Sequence, residues 1–244
     1  MRQSEFTIIE NAPLSRRFTR LRLRGDISAI TAPGQFVNLR LDGLFLRRPL
    51  SVCDAEGDVL TLIYEAVGKG TRQLQSLPLG SRLDLLTGLG NGFDTTCSGR
   101  APLLIGGGSG VSPLYALAKA LRAEGKAVTA ILGFGAADEV YFEDELRALG
   151  VAVCVTTEDG SYGQQGFVTA AMDRPYTHFY ACGPDAMLRA VCQVSTTSGQ
   201  LSFAERMGCG FGACMGCTHR TVSGHKRICK DGPVLRKEEI LWDD

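Results

Sequence analysis

The sequence has no excess of charge of either sign and no long apolar run. Lys and Arg together number 26, and so do Asp and Glu, in a chain of 244 residues. This balance argues against nucleic-acid binding driven by bulk positive charge. No segment approaches the ~20 apolar residues that span a bilayer, and residues 1–10 lack the apolar centre of a secretory signal. We therefore expect a cytoplasmic protein with no membrane span and no nucleic-acid partner.

Cysteine, in contrast, is abundant, and four of the nine cysteines lie close together near the end of the chain. Their spacing is Cys209-x4-Cys214-x2-Cys217-x11-Cys229. Plant-type [2Fe–2S] sites use C-x4-C-x2-C followed by a distant fourth cysteine. Small residues between the first ligands let the backbone wrap closely around a cluster. A cytosolic chain keeps its thiols reduced, so this spacing predicts a [2Fe–2S] cluster and not disulfides.

Three other interpretations of these cysteines remain open at this point. A structural zinc ion also takes four thiolates, although usually from two short-spaced pairs. A Rieske centre needs two histidine ligands, for which His219 and His225 are available. The four thiols could also be incidental, with no metal bound.

Hydrophobic patterning divides the chain into three predicted regions. Residues 1–97 show short alternating strands, such as 36–41 and 59–67, separated by Gly and Pro, which is typical of an antiparallel β-barrel. Residues 98–197 alternate strands with helices, which indicates a parallel, Rossmann-like sheet. Residues 198–244 are short and cysteine-rich, so a metal centre would help them hold their shape. The predicted fold class is therefore α/β plus β.

The middle region carries a glycine-rich turn between a strand and a helix. A strand predicted at 102–105 leads into Gly106, Gly107, Gly108 and Gly110, and the helix that Pro113 opens buries Leu114, Leu117, Ala118 and Leu121. Glycines let a backbone approach a pyrophosphate at a helix N-terminus. The turn therefore predicts a dinucleotide site, although a tight turn without a ligand has a similar pattern.

A second turn, Cys182-Gly183-Pro184, follows a later predicted strand, 177–181. Because ligands of parallel sheets bind at the carboxyl ends of strands, this turn should face the same crevice and bring Cys182 beside the nicotinamide. The alternative is a buried small residue before a Gly-Pro turn. The segment 133–139 contains no Arg or Lys for a 2′-phosphate, which favours NAD over NADP. Strands at 128–134 and 151–156 and helices at 141–149 and 184–192 complete the predicted order.

A possible flavin segment lies in the first region. Arg48, Pro49, Leu50 and Ser51 follow a predicted strand. An arginine can pair bidentately with a diphosphate, and a serine can hydrogen-bond to a flavin ring. From chemistry alone, Arg48 could equally be a solvated strand residue.

Together these segments resemble the ferredoxin-reductase superfamily, in which an FAD-binding barrel precedes a nucleotide-binding domain. The superfamily's R-x-[YF]-[ST] motif reads R-P-L-S at 48–51, with Leu50 replacing the aromatic residue, and its G-G-G-x-G-x-x-P and C-G-P turns are both present. With the cysteine segment 205–217 and G-P-V-L-R at 232–236, the chain is similar to the electron-transfer subunits of class 1B dihydroorotate dehydrogenases. Ser112 stands where family members often have Pro.

The resemblance implies FAD contacts from a larger set of residues than chemistry alone suggests. They are Arg48, Pro49, Leu50, Ser51, Ile63, Tyr64, Glu65, Gly70 and Thr71. It divides the chain into an FAD-binding barrel at 1–97, an NAD-binding domain at 98–197 and a [2Fe–2S] domain at 198–244. It also implies that the turn at 89–93 joins the two halves.

The resemblance further implies a partner that carries FMN and oxidises dihydroorotate, in a heterotetramer of two plus two subunits. Electrons would pass from FMN through [2Fe–2S] and FAD to NAD+, in pyrimidine (UMP) biosynthesis. No residue of this chain is expected to be catalytic toward dihydroorotate. The alternatives are an electron-transfer subunit of a sulfhydrogenase or of a ferredoxin-linked transhydrogenase, and, from another class, a zinc-stabilised interaction module.

Overall fold

Six antiparallel strands in the first part of the chain close into a barrel, in the order β1-β2-β5-β4-β3-β6. The structure is a computed structural model and describes residues 1–242. The barrel elements are β1 (Arg2–Pro13), β2 (Phe18–Arg24), β3 (Phe36–Leu39), β4 (Arg48–Glu56), β5 (Val59–Glu65), α1 (Lys69–Gln75) and β6 (Arg82–Leu89). The predicted antiparallel barrel is therefore confirmed.

The barrel interior is filled by side chains that alternate along each strand. Val37, Leu39 and Leu41 all point into it, as their spacing predicts. Strand β3 nevertheless ends at Leu39, because residues 42 and 43 form a turn. Strand β5 likewise ends at Glu65, two residues before the exposed Val67.

A seven-stranded sheet follows the barrel, in the order β10-β9-β8-β7-β11-β12-β15. Its elements up to the last parallel strand are β7 (Pro102–Gly107), α2 (Val111–Ala123), β8 (Thr129–Phe134), α3 (Glu143–Ala148), β9 (Ala152–Thr157), β10 (Gln164–Gln165), β11 (His178–Cys182), α4 (Asp185–Val194) and β12 (Gly199–Ser202). All pairings among β7 to β12 are parallel, which confirms the predicted sheet.

Apolar residues on both faces of the central strands produce two separate cores. Leu104 packs with the α2 side chains Leu114, Leu117 and Leu121, whereas Leu103 and its neighbours pack on the opposite face. Helix α2 begins at Val111, two residues before Pro113, because a 3-10 turn at Gly108–Gly110 leads into it. Helix α3 begins at Glu143, after Phe142 adopts a left-handed φ of 65°.

The cysteine-rich segment is integrated into this sheet. It contains β13 (Thr218–Thr221), β14 (Gly224–Arg227), α5 (Ile228–Asp231) and β15 (Val234–Arg236). Strand β15 pairs antiparallel with β12, and Cys217, Ile228, Cys229 and Leu235 share one core with Leu201. Residues 198–244 therefore contribute two strands to the sheet, and their division from 98–197 stays a prediction. Within residues 1–242, no helix is long and apolar enough to cross a membrane.

Candidate functional site

Two adjacent arginines at the start of β4 have different surroundings. The Arg47 guanidinium forms two 3.0 Å bonds to the Asp84 carboxylate, one to each oxygen, and also reaches the main-chain oxygens of Asn38 and Asp84. Within residues 1–242, the Arg48 side chain donates only to the carbonyls of Leu46 and Arg47. The charge of Arg47 is thus balanced by Asp84 within the barrel. The positive charge of Arg48 has no carboxylate partner among the described residues.

Gly70 lies directly against the Arg48 side chain. A Cβ atom at Gly70 would stand 2.3 Å from Arg48 Nε, so only glycine allows this approach. Thr71 follows it in α1, and its hydroxyl accepts a bond from the Gly68 N–H at 3.1 Å. The predicted diphosphate residue Arg48 therefore lies beside the predicted FAD contact Gly70, and its charge is available to an anionic ligand.

Residues 63–65 of β5 alternate between the two sides of the barrel wall. Tyr64 is buried in the barrel core, where its hydroxyl donates to Asn11 Oδ1 at 2.9 Å. Burial raises the pKa of this phenol to about 12. Ile63 points instead toward the sheet, and Glu65 is paired with Arg17. Ile63 and Tyr64 are 4% and 2% exposed, so of these three side chains only that of Glu65 is open to a cofactor outside the barrel.

The two glycine turns of the sheet meet backbone to backbone. Strands β7 and β11 are adjacent, with Gly106 paired to Cys182. A Cβ atom at Gly110 would lie 2.1 Å from the Cys182 carbonyl oxygen, and one at Gly107 would lie 2.5 Å from Met187 Sδ. At Gly183 the nearest atom to the Cβ position is Met187 Cε, at 2.5 Å, the end of a flexible side chain. Gly106, Gly107, Gly108 and Gly110 thus lie beside Cys182 and Gly183 at the carboxyl ends of neighbouring strands, where parallel sheets bind nucleotides.

The Cys182 thiol lies at this junction. Burial raises its pKa to about 11, although a hydrogen bond with Ser202 opposes that effect. The side chain is therefore a neutral thiol near pH 7 and adds no charge to the crevice.

Arg16 and Arg17, which lie between β1 and β2, contact the loop 133–139, which contains no Arg or Lys. Arg16 contacts Asp138 at 3.1 Å and Glu139 at 2.8 Å, and Arg17 contacts both Glu139 and Glu65. Burial alone would raise the pKa of Glu139, but bonds from Arg16 and the Gly135 N–H hold it below its usual value. Arg16 and Arg17 are both paired with carboxylates, so within the described residues neither is a free cation for a 2′-phosphate. Sequence spacing could not reveal this pairing, because it joins segments more than 120 positions apart.

The four clustered cysteines stand in two pairs. Cys209 and Cys214 are close enough for thiol contact and exchange main-chain N–H bonds to sulfur at 3.4 Å in both directions. Cys217 and Cys229 form the other pair, in which the Cys229 N–H lies 3.4 Å from Cys217 Sγ. Across residues 1–242, no three candidate ligand side chains converge on the position of one metal ion. The four thiols are therefore not arranged around the position of one zinc ion, whereas a centre of two irons can take one pair at each iron.

The first pair lies in a loop whose N–H groups point at sulfur. Burial would raise the pKa of Cys209, but N–H donors from Phe211, Cys214 and Ala213 lower it to about 6. Cys217 and Cys229 are buried in the sheet core, and burial raises the pKa of Cys229 to about 12. The loop donors are those expected to stabilise cluster sulfur. The residues present therefore fit a [2Fe–2S] cluster.

The histidines near the cysteines have ordinary structural contacts. His219 packs on the Phe203 ring, with centroids 4.8 Å apart, and its Nδ1 lies 3.3 Å from Glu205 Oε1. His225 is exposed on β14. The structure gives neither of them a place beside the thiol pairs, so the Rieske interpretation finds no support.

Two asparagines join the cysteine-rich segment to the barrel. Asn38 of β3 donates through Nδ2 to the Cys209 carbonyl at 3.3 Å. Asn91 donates to the Val234 carbonyl at 2.8 Å and accepts from the Val234 N–H at 3.1 Å. Within the segment, Arg227 donates to the Gly212 carbonyl at 2.9 Å. Asn38 and Arg227 were not among the predicted site residues, and no spacing pattern marks them.

Comparison with known families gives two matches along the chain. Residues 204–241 match the "Iron-sulfur cluster binding domain of dihydroorotate dehydrogenase B", and residues 104–193 match the "Oxidoreductase NAD-binding domain". The first match contains all four clustered cysteines, and the second contains both glycine turns. An interaction module built on zinc has no counterpart in these matches.

Full-length relatives are described as electron-transfer subunits of dihydroorotate dehydrogenase B (NAD(+)). The one from Geobacillus sp. (strain WCH70) is 40% identical over 99% of this chain and 99% of its own length. The one from Bacillus velezensis is 40% identical over 98% of this chain, and that from Listeria monocytogenes serotype 4a is 39% identical over 98%.

Solved structures with the same fold include two reductases. An NADH-dependent reduced ferredoxin–NADP oxidoreductase superposes with a TM-score of 0.88 and 29% identity, over 97% of this chain and 90% of that chain. A ferredoxin NADP+ reductase from Neisseria gonorrhoeae, solved with bound FAD and NADP, has a TM-score of 0.69 and 19% identity over 79% of this chain and 90% of that one. The second comparison supports the fold alone.

Proposed function

The chain belongs to the family of electron-transfer subunits of dihydroorotate dehydrogenase B, and from this premise we propose that it carries electrons between a dihydroorotate-oxidising partner and NAD+. The route runs from the partner's FMN through a [2Fe–2S] cluster and FAD, in pyrimidine (UMP) biosynthesis. When bound, FAD exchanges hydride with the nicotinamide and single electrons with the cluster. The chain itself binds and positions these groups.

The observation that carries this proposal is the hydrogen bond between the cysteine loop and β3, the strand that pairs with the flavin segment. Asn38, which donates to the Cys209 carbonyl, is paired in the barrel with Pro49 of the flavin motif. The proposed cluster ligand and the proposed flavin seat are therefore joined by one strand pair and one hydrogen bond. Such proximity is what single-electron transfer between the two groups requires.

We assign FAD to the flavin motif at the start of β4 and to the neighbouring helix α1. Arg48 supplies the positive charge for the diphosphate, and the confined Gly70 lets that side chain lie flat against α1. Ser51 stands further along the same strand and can hydrogen-bond to the ring. We keep Pro49, Leu50, Ile63, Tyr64, Glu65 and Thr71 as the remaining contacts, Ile63 and Tyr64 through their main chains.

We assign NAD(H) to the junction of the two glycine turns. Glycines at this junction and the N-terminus of α2 are the features that bind a pyrophosphate in parallel sheets. The neutral Cys182 thiol can lie beside a nicotinamide without charge repulsion. The pairing of Arg16 and Arg17 with carboxylates supports a preference for NAD.

The partner in this proposal is an FMN-containing catalytic subunit, in a cytoplasmic complex of two plus two chains. Phe211 and Met215 are exposed by 44% and 53% and flank Cys214, so the cluster loop offers apolar surface next to its exposed ligand. Such side chains are typical anchors of protein interfaces. We propose that the partner docks over this loop.

The proposal is tested with the whole complex. The chain is co-expressed with a candidate FMN subunit, and dihydroorotate-dependent reduction of NAD+ is measured. We expect activity only in the complex, and an anaerobically purified chain with flavin and iron–sulfur absorption and about two irons per chain. A folded chain that carries neither flavin nor iron would contradict the proposal, as would full activity of the FMN subunit with NAD+ in the absence of this chain.

A second candidate, favoured by the similarity to the ferredoxin–NADP oxidoreductase structure, is a subunit of a ferredoxin-linked transhydrogenase. It would share the cofactors and differ in its partner. A complex that reduces NADP+ with reduced ferredoxin and is inactive with dihydroorotate would support this candidate. The same two assays identify a sulfhydrogenase subunit, whose complex would reduce the nucleotide with neither reduced ferredoxin nor dihydroorotate.

A further inference from the structure

Glu139 is a nearly buried carboxylate at the boundary between the barrel and the sheet. It is 4% exposed and lies in the loop that follows the carboxyl end of β8. Three donors reach it: Arg16 Nη2 at 2.8 Å, Arg17 Nη1 at 3.4 Å from both carboxylate oxygens, and the Gly135 N–H at 3.1 Å. The Arg16 N–H also donates to the Asp138 carbonyl at 2.9 Å. The segment between β1 and β2 is therefore bound to the loop after β8 by main-chain and side-chain bonds.

Arg17 extends this contact to a strand that carries predicted flavin residues. Its Nε and Nη2 donate to the two oxygens of the Glu65 carboxylate, at 2.9 and 3.1 Å, in a bidentate arrangement. One guanidinium is thus shared by two carboxylates, Glu65 at the end of β5 and Glu139 beyond β8. An ordinary surface ion pair contributes little. This one differs because Glu139 is buried and each carboxylate binds a different side of the same planar group.

Phe18 continues the contact as far as the glycine turn. Its ring centroid lies 4.9 Å from that of Tyr141, in the segment that follows Glu139. The Tyr141 hydroxyl donates to the Gly108 carbonyl at 2.9 Å. A Cβ atom added at Gly108 would lie 3.7 Å from Phe18 Cζ. Residues 16–18 of the barrel therefore contact both the loop after β8 and the turn to which we assign NAD(H).

We propose that Arg17 and Glu139 position the nucleotide for hydride transfer: the shared guanidinium sets the distance between the glycine turn of the sheet and the flavin segment of the barrel. Hydride carries two electrons and one proton from NADH to FAD as one unit, so its rate depends steeply on that distance. Arg17 and Glu139 are positioning residues, since each acts by holding two parts of the chain in place. The inference rests on the proposed function, because it takes NAD(H) to bind at the glycine turns and FAD beside β4 and β5.

The test uses the full chain loaded with FAD and the iron–sulfur cluster and removes the shared contact from either side. Glu139→Gln keeps the shape of the side chain and removes its charge, whereas Arg17→Gln removes the guanidinium. Stopped-flow reduction of FAD by NADH gives the limiting rate and the apparent Kd separately. Asp54→Asn is the matched control, because Asp54 also joins the barrel to the sheet, but through Lys119 of α2, at 2.9 Å, instead of the loop after β8.

We expect Glu139→Gln and Arg17→Gln each to lower the limiting rate of FAD reduction about tenfold, because a small displacement already slows a positioned reaction. The apparent Kd for NADH should stay within about threefold of the wild type, since the glycine turns themselves are unchanged. The double variant should be no slower than the slower single variant, because both changes break one contact. Asp54→Asn should keep both constants within about twofold of the wild type.

Amide hydrogen exchange adds a readout that does not depend on turnover. In Glu139→Gln, before NADH is added, exchange should become faster in residues 16–18 and 135–141. Amides of β7, in the centre of the sheet, serve as the internal control and should keep their exchange rates. Asp54→Asn should leave exchange in residues 16–18 and 135–141 unchanged.

The inference fails if both Gln variants keep the limiting rate within about threefold of the wild type. It also fails if Asp54→Asn slows FAD reduction as much as they do, because any ion pair between barrel and sheet would then have this effect. Effects that multiply in the double variant would overturn it as well, because the two residues would then act separately.

The comparison still decides if Glu139→Gln folds poorly. Arg17 is 47% exposed, and Arg16 still pairs with Glu139 when Arg17 is replaced, so Arg17→Gln tests the same contact. A wild-type chain that binds FAD but is not reduced by NADH would instead contradict the proposed function. The two failures are therefore distinguishable.

Discussion

The nucleotide turns and the cysteine loop are both rich in glycine, yet glycine has a different role in each. At Gly110 a Cβ atom would lie 2.1 Å from the Cys182 carbonyl oxygen and 2.7 Å from the Gly183 nitrogen, so the two turns are packed backbone against backbone. In the cysteine loop, Gly210 and Gly212 approach only side-chain atoms, of Asn38 and Lys230 at 2.3 and 2.6 Å, and at Gly208 and Gly216 the nearest atom to an added Cβ is Cys214 Sγ, at 3.2 and 3.5 Å. The first site is therefore formed by the fold itself. The second is shaped around sulfur and held by a few hydrogen bonds.

The largest expected effect comes from removing the Cys214 sulfur, which tests whether the cluster and the nucleotide site act independently. Cys214→Ser should lose most of the iron, because each ligand of a [2Fe–2S] centre is needed to hold it. Electron delivery to the partner should fall by more than about 100-fold, while FAD reduction by NADH falls far less. Iron analysis and stopped-flow reduction of FAD check both. Equal loss of the two reactions in a folded variant would show that the sites are not separable.

The next effect tests packing at the nucleotide turns. Gly110→Ala places a methyl group 2.1 Å from a carbonyl oxygen that cannot move without shifting β11. We expect a loss of roughly 3 kcal/mol of unfolding free energy, at the upper end for overpacking. Gly216→Ala is the matched control in the cysteine loop, where the Cβ makes an ordinary 3.5 Å contact with sulfur. Urea unfolding measures both, and similar losses would contradict the contrast drawn between the two loops.

A smaller effect concerns the hydrogen bonds that join the turn at 89–93, which follows the barrel, to β15. Asn91→Ala removes two hydrogen bonds to Val234, at 2.8 and 3.1 Å. We expect a loss of about 1 to 2 kcal/mol, expressed as faster amide exchange in residues 234–236. Amides of β7, in the centre of the sheet, serve as the internal control. Uniform acceleration across the sheet would show that Asn91 stabilises the whole fold and not this strand.

The smallest effect is a pH dependence at Cys182. Its pKa is raised by burial to about 11 from an ordinary 9.0, so the folded state keeps a proton that the unfolded state loses. The associated stability is complete below about pH 9 and is lost as the pH rises toward 11. Cys182→Ala should therefore flatten the alkaline decline of stability by up to about 1 kcal/mol at pH 10. Thermal melts of the wild type and Cys182→Ala from pH 7 to 10 check this. Parallel curves of stability against pH for the two proteins would show that burial does not raise the pKa of the thiol.

Local patterns predicted the parts of the molecule that depend on local physics. The buried face of α2 and the two glycine turns follow from periodicity and from the need of strand–helix turns for small residues. The spacing of the four cysteines likewise anticipated their grouping. Boundaries were less accurate, because the 3-10 turn before Val111 and the left-handed Phe142 depend on packing with neighbouring segments.

Long-range pairings could not be predicted in the same way. No sequence pattern shows that Asn38 meets Cys209 or that Arg16 meets Glu139, since each pair becomes adjacent only after the barrel and sheet have formed. The place of β15 at the sheet edge is a further example, because a three-residue strand has almost no signal of its own. The interior position of Tyr64 follows from strand alternation only when the register of β5 is known.

The antiparallel pairing of β15 with β12 has a consequence for engineering this chain. A shortened chain that ends at residue 197 would look like a plain flavin reductase, but it would discard β12 as well as the cysteines and leave β11 as an open edge. Unpaired edges of this kind recruit other strands and promote aggregation. Removing the metal centre is therefore better achieved by replacing its thiols one at a time than by shortening the polypeptide.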